Sequence, residues 1–307
     1  MPAPSPRISR RAVLAGAAGA AGVALLAACG SSGGDDDTAD GSGDDGGSGG
    51  AGFNLSAIFP PDGLLVAGTA QRLPFTLSDA TGVPVDEPPA SLEFVVQTAD
   101  GEPVGEPVTV ERHDEGIPTA YFPLRFEFPA PGDYQATTTV DGEELTPRVF
   151  RVSEPEAVAV PQPGQAMIPV PTPTTADARG VDPICTREPE CDLHGVTLTE
   201  ALDEGVPVAL LIATPAYCQT AICGPVLDVL LSQEEAFPNV RMVHAEVYKD
   251  AAAVDNIAEA ELAPVVEDYQ LGYEPVLFLA NADGTIAQRL DTIFDESEVA
   301  EALAQLS

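Results

Sequence analysis

The sequence predicts a multidomain chain, an all-β sandwich followed by an α/β domain. Three observations predict it. From Phe53 to about Ser153, short alternating apolar and polar segments are broken by Pro, Gly and Asp, with no helical stretch. From about residue 181 to 307, apolar strand-like runs alternate with segments of helical period, the pattern of a largely parallel sheet. Between them, residues 154–180 are dense in proline, which favours an extended, semi-stiff linker and some independence of the two parts. A length of 307 residues leaves room for about two domains at ~150 residues each.

The first 52 residues belong to neither part. Ser9-Arg10-Arg11-Ala12-Val13-Leu14 places paired arginines before an Ala- and Gly-rich apolar run that ends Leu26-Ala27-Ala28-Cys29. A charged start followed by a moderately apolar segment is a targeting peptide, set aside from fold reasoning. The run is short and weakly apolar for a membrane-crossing helix, which needs ~18 residues or more. The paired arginines resemble the twin-arginine export signal, and Leu-Ala-Ala-Cys-Gly resembles the lipobox of bacterial lipoproteins. The resemblance implies a signal over 1–29, acylation of Cys29 and anchoring on the extracytoplasmic face of the cell membrane. Residues 30–52 carry no apolar side chain larger than Ala; such a segment cannot offset its ordering entropy and reads as a disordered, self-repelling tether.

A net charge of −36 argues against a phosphate-binding surface, which needs clustered Lys and Arg, so no nucleic-acid partner is expected. The acid excess reads as a solvated surface.

In the β part, residues 71–77, 91–98, 123–128, 134–140 and 148–152 read as strands, and Asp141-Gly142 as a hairpin turn, within a sandwich of about seven strands over 53–153. Pro131-Gly132-Asp133-Tyr134 resembles the tyrosine-corner entry of immunoglobulin-like domains, although the Cys and Trp of the antibody core are missing. His113, in the polar stretch Glu111-Arg112-His113-Asp114-Glu115, reads as a surface histidine.

In the α/β part, Thr197 and Glu200 have capping-box spacing at the start of a short helix ending at Gly205. Residues 206–213 form a continuous apolar run, a strand buried on both faces. Residues 224–233 are helical with Pro225 in the first turn, 240–248 a strand, and 255–269 a helix interrupted at Pro264. Residues 275–280 and 285–290 make an antiparallel hairpin around Asn281-Ala282-Asp283-Gly284, and 297–306 a closing helix.

This order resembles the thioredoxin fold over nearly all of 196–307. Tyr217-Cys218 follows the central strand, where that family has an aromatic residue before its nucleophilic cysteine. Glu274-Pro275 precedes the last hairpin, where the family has a cis-proline facing the site. The resemblance implies a substrate groove of Tyr217, Glu274 and Pro275. Two departures stand out. Cys218 and Cys223 are separated by four residues rather than two, and the family's buried carboxylate would fall near Ile212. Thr214-Pro215 before a C-x4-C pair also resembles some two-cysteine peroxiredoxins, with Thr214 one position too far from Cys218.

The cysteine pair itself admits three readings: reversible redox chemistry, a structural disulfide, or a metal site. A thiolate near a helix N-terminus is favoured by the helix dipole, which suits Cys218 and Cys223 to disulfide exchange. Residues five apart on a regular helix rise by ~7.5 Å, too far for a disulfide, so residues 219–222 are expected to be looped and the helix to begin near Cys223. If Glu274 faces Cys218, its charge raises that thiol's pKa and slows exchange.

Five cysteines less Cys29 leave four, and local pairing favours Cys185–Cys191 as a structural disulfide beside Cys218–Cys223. Cys185, Cys191 and His194 resemble part of a zinc site with no fourth ligand following, so no metal is assigned. His244 reads as a histidine hydrogen-bonded within its strand. The chain shows no cofactor motif. The expected function is a lipid-anchored thiol–disulfide oxidoreductase acting on a protein dithiol or disulfide through Cys218 and Cys223. A non-catalytic binding or scaffold lipoprotein and a thiol peroxidase are the alternatives.

Overall fold

The computed structural model describes residues 52–307; the twin-arginine segment, Cys29 and nearly all of the tether lie outside the described residues. The fold is mostly β, in several sheets, with few helices. The first part has nine strands: β1 (Phe53–Ala57), β2 (Leu65–Val66), β3 (Ala70–Asp79), β4 (Ser91–Thr98), β5 (Val108–Glu111), β6 (Phe122–Glu127), β7 (Gly132–Val140), β8 (Glu143–Glu144) and β9 (Arg148–Ser153). One sheet runs β1-β3-β6, the other β2-β9-β7-β4-β5 with β8 on β7. Leu55, Phe75, Phe94, Phe122, Phe128 and Phe150, from both sheets or just beyond their strands, share one core.

Local chemistry explains the turns. Asp141 and Gly142 both have positive φ, 52° and 85°, as a tight hairpin turn between β7 and β8 requires. The Tyr134 hydroxyl donates to the Ala130 carbonyl at 2.7 Å, tying the start of β7 back to the corner before it.

The second part is ordered α1 (Leu198–Asp203), β10 (Val208–Ile212), α2 (Cys223–Ser232), β11 (Arg241–Ala245), α3 (Pro264–Asp268), β12 (Val276–Ala280), β13 (Ile286–Asp291) and α4 (Glu296–Ala304). The sheet order is β11-β10-β12-β13. β10 is parallel to β11 and antiparallel to β12, and β12 and β13 form the hairpin. Every residue of β10 and β12 is buried, which is why both strands read as unbroken apolar runs. Thr197 and Glu200 form a reciprocal capping box on α1.

Two expectations need correction. The helix over 255–269 is a short 3-10 turn, Ile257–Glu259, followed by α3. Ala263 is extended before Pro264, so the proline starts a helix instead of interrupting one.

The proline-rich segment is also not a free linker. Val158, Val160, Met167 and Val170 are buried in the core beneath β10 and β12. The Gly164 amide donates to the Ile286 carbonyl at 2.8 Å, and the Met167 amide to the Gly284 carbonyl at 2.9 Å. The segment docks along the start of β13.

Nor do the two parts stand apart. Arg72 of β3 reaches across to Glu298 of α4 in a bidentate pair, Nε to Oε1 and Nη2 to Oε2 both at 2.7 Å, with each side chain 3% exposed. Its remaining donors meet the carbonyls of Asp291, at 2.9 Å, and Ile293. The Tyr121 hydroxyl donates to Glu298 Oε2 at 2.5 Å, and Tyr121 packs within the core of the second part. His113, expected on the surface, instead pairs through Nδ1 with Asp295 at 2.9 Å, and Asp295 caps α4 by accepting the Glu298 amide at 2.8 Å. The acidic N-terminus of α4 is thus gripped by the β part.

Candidate functional site

Cys218 lies in the loop between β10 and α2, as the spacing argument requires. The Ala221 amide donates to the Cys218 carbonyl at 3.3 Å, and Ala221 has a positive φ of 56°, so the chain turns sharply before α2 begins at Cys223. Cys218 is partly exposed and Cys223 fully buried. The Cys223 amide, at the helix N-terminus, donates to Cys218 Sγ at 3.4 Å, and Thr220 Oγ1 lies 3.4 Å from the same sulfur. Hydrogen bonds from Cys223 and Thr220 outweigh partial burial and hold the Cys218 thiol down at about 5. The Cys223 thiol is pushed far up, by its hydrogen bond to Cys218, by burial and by the charge of Glu274. Both cysteines are free thiols.

Glu274 sits at the head of β12. Its Oε2 accepts the Thr214 amide at 2.9 Å and the Cys223 thiol at 3.4 Å. Burial, then the neighbouring Cys218 charge, push its carboxyl up to about 7. The rise expected in the Cys218 thiol from a facing Glu274 does not occur: the like-charge repulsion falls on Cys223 and on Glu274 itself, and Cys218 stays acidic. The sequence pointed to Glu274 beside Cys218; its hydrogen bond is instead with Cys223, so the residue just before β12 supplies the buried carboxylate that Ile212 lacks.

Pro275 is buried behind Glu274, the Glu274-Pro275 peptide is cis, and the Pro275 carbonyl accepts the Thr292 amide at 2.8 Å. Tyr217 does not join the groove beside Glu274. It opens onto a separate cavity of about 350 Å³ with Pro183, Thr186 and Arg187. Two cavities among the described residues flank Glu274. One of about 360 Å³ is lined by Gln219, Tyr248 and Leu271; another of about 530 Å³ is lined by Ile58 and Phe59 of the β part and Thr220 and Ile222 of the cysteine loop.

Cys185 and Cys191, expected to pair in a disulfide, are free thiols here with their sulfurs 3.7 Å apart. They lie with His194 and His244 in one buried cluster. His244 does hydrogen-bond as a strand histidine should, its Nε2 donating to the Ala213 carbonyl at 3.1 Å, but its Nδ1 faces the two sulfurs.

Among the described residues no helix is long and apolar enough to cross a membrane. No family model matches the chain, and no curated protein matches it. Among solved structures, MTB DsbF in its mixed oxidized and reduced forms is similar at 16% identity, covering 36% of this chain and 87% of that one with a TM-score of 0.28.

Proposed function

We propose that this chain is a thiol–disulfide oxidoreductase, with a thioredoxin-like second part, an immunoglobulin-like first part, and an N-terminal lipid that anchors it outside the cytoplasm. The observation that carries the reading is the division of labour between the sulfurs: an accessible Cys218 with an acidic thiol, beside a buried Cys223 whose proton points at a carboxylate. The strand order β11-β10-β12-β13 and the loop placing both sulfurs at the start of α2 also support it.

One half-reaction balances with these groups alone, and a small thiol or disulfide then resets the pair. Cys218 thiolate attacks one sulfur of a client disulfide; the client S–S bond breaks and its other sulfur leaves as a thiolate. Glu274 takes the Cys223 proton, and the Cys223 thiolate attacks Cys218 Sγ of the mixed disulfide. The client departs as a dithiol, reduced by two electrons, and the chain is left with a Cys218–Cys223 disulfide. Run in reverse, the same steps oxidise a client. The cavity bounded by Ile58, Phe59, Thr220 and Ile222 supplies an apolar flank for an extended client segment.

Disulfide exchange on a model protein substrate tests this. With dithiothreitol supplied to re-reduce the pair, or oxidised glutathione to re-oxidise it, wild type should turn over and Cys218→Ser should not; a wild type without turnover in either direction would leave the non-catalytic scaffold reading in its place.

A further inference from the structure

We propose that Cys185, Cys191, His194 and His244 form a closed tetrahedral site for a zinc ion, separate from the Cys218 pair. All four side chains are buried, between 0% and 7% exposed, and their donor atoms lie within 4.8 Å of one another. Five of the six donor–donor distances match the edges of a coordination tetrahedron, and the sixth, Cys185 Sγ to His194 Nε2, is within 4.8 Å. With zinc–sulfur bonds of about 2.3 Å and zinc–nitrogen bonds of about 2.0–2.1 Å, its edges are about 3.8 Å between sulfurs, about 3.6 Å between sulfur and nitrogen, and about 3.3 Å between nitrogens. Here the Cys185 and Cys191 sulfurs are 3.7 Å apart. Cys191 Sγ lies 3.4 Å from His194 Nε2 and 3.5 Å from His244 Nδ1, and Cys185 Sγ lies 3.9 Å from His244 Nδ1. The two imidazole nitrogens are 3.3 Å apart.

The surroundings suit ligands rather than a disulfide. A carbonyl only accepts, so the Ala213 carbonyl fixes the His244 proton on Nε2 and leaves the Nδ1 lone pair aimed inward. The Cys191 amide donates to Cys185 Sγ at 3.4 Å, as backbone amides do to ligating thiolates. Two thiolates neutralise a divalent ion, so the loaded site is uncharged and compatible with burial. Two sulfurs and two imidazoles in a tetrahedron favour zinc over hard oxygen-seeking cations, and four protein ligands leave no open position, which makes the ion structural.

Its position gives the ion a task. Residues 185–194 are held to β11 by the His244 amide, which donates to the Leu193 carbonyl at 3.2 Å. Thr186 Oγ1, next to Cys185, accepts the Ala216 amide at 3.1 Å, two residues before Cys218. The ion would therefore brace the segment on which the cysteine loop rests.

The test is metal analysis of the full chain purified under reducing conditions with zinc. One zinc per chain is expected, retained in Cys218→Ser/Cys223→Ser and lost in Cys185→Ser and in His244→Ala. Because the last two variants can fail to fold, the wild-type chain is also loaded with cobalt(II). Visible bands of tetrahedral cobalt with near-ultraviolet thiolate charge-transfer bands are expected, and zinc should raise the Tm of the metal-free chain by roughly 5 °C or more. A Cys185–Cys191 disulfide in peptides of the chain isolated from cells without reductant would overturn the proposal. So would a wild-type chain that binds neither metal, or loss of the ion in the Cys218/Cys223 double variant.

Discussion

The buried Cys223 thiol donates to Glu274 across 3.4 Å, from the first residue of α2 to the residue two before β12. Glu274→Gln keeps an acceptor for the Thr214 amide but cannot take a proton. Exchange by that variant should fall by about 10²-fold, the low end of what a positioned base contributes, and the rise in rate around pH 7 should vanish from its pH profile. Stability should move the other way. The folded carboxyl titrates at about 7 against an ordinary 4.5, so the folded state binds more protons between those values and stability declines as pH rises through that window. The variant should lose this decline, with a Tm at pH 8 equal to or above that of wild type. A Tm lowered at every pH would make Glu274 merely structural.

Cys218 should react as a thiolate well below neutrality. Its rate of alkylation by iodoacetamide should rise with a midpoint near pH 5, while Cys223 stays unmodified in the folded chain. A midpoint between 8 and 9, the range of an ordinary cysteine, would remove the case for an activated sulfur.

Cys223→Ser should trap clients. Without a resolving sulfur the mixed disulfide on Cys218 has no intramolecular exit, so a covalent adduct should accumulate on non-reducing gels and dissolve with dithiothreitol. Cys218→Ser should form none; trapping by Cys218→Ser alone would reverse the assigned roles, and equal trapping by both variants would remove the distinction between them.

Arg72→Ala removes the buried counter-charge of a fully buried Glu298 and leaves it only the half-exposed Arg125, at 3.0 Å. Burial pushes that carboxyl up, but the charge and hydrogen bonds of Arg72 outweigh it and hold it ionised. Breaking such a pair costs roughly 3–5 kcal/mol, to be read from urea unfolding. The double variant Arg72→Met/Glu298→Leu should recover most of that loss, since the one charge it leaves unpaired, Arg125, is half exposed to water.

Much of this architecture was legible because its causes are local. Apolar runs marked β10 and β12, Thr197 and Glu200 announced the cap of α1, and the reach of a helix over five residues placed its start at Cys223. What escaped reading depends on residues remote in sequence. Arg72 and Glu298 are 226 positions apart, and His194 and His244 are 50 apart. The spacing of Cys185, Cys191 and His194 was a signal for three ligands. The fourth is visible only once β11 lies beside β10 and its burial strips His244 of water. The segment 154–180 misled because proline density reports backbone stiffness but not whether the valines between the prolines find a core.

The grip of the β part on α4 sets how the molecule can be cut. A fragment beginning at residue 181 would leave an empty socket where the Tyr121 ring packs, and would strand Glu298 without a cation. Excision would thus injure the very half that holds the Cys218–Cys223 pair. Any exchange of this sandwich for another must import Arg72 and Tyr121 with it, so the two halves are bound to be inherited as a pair.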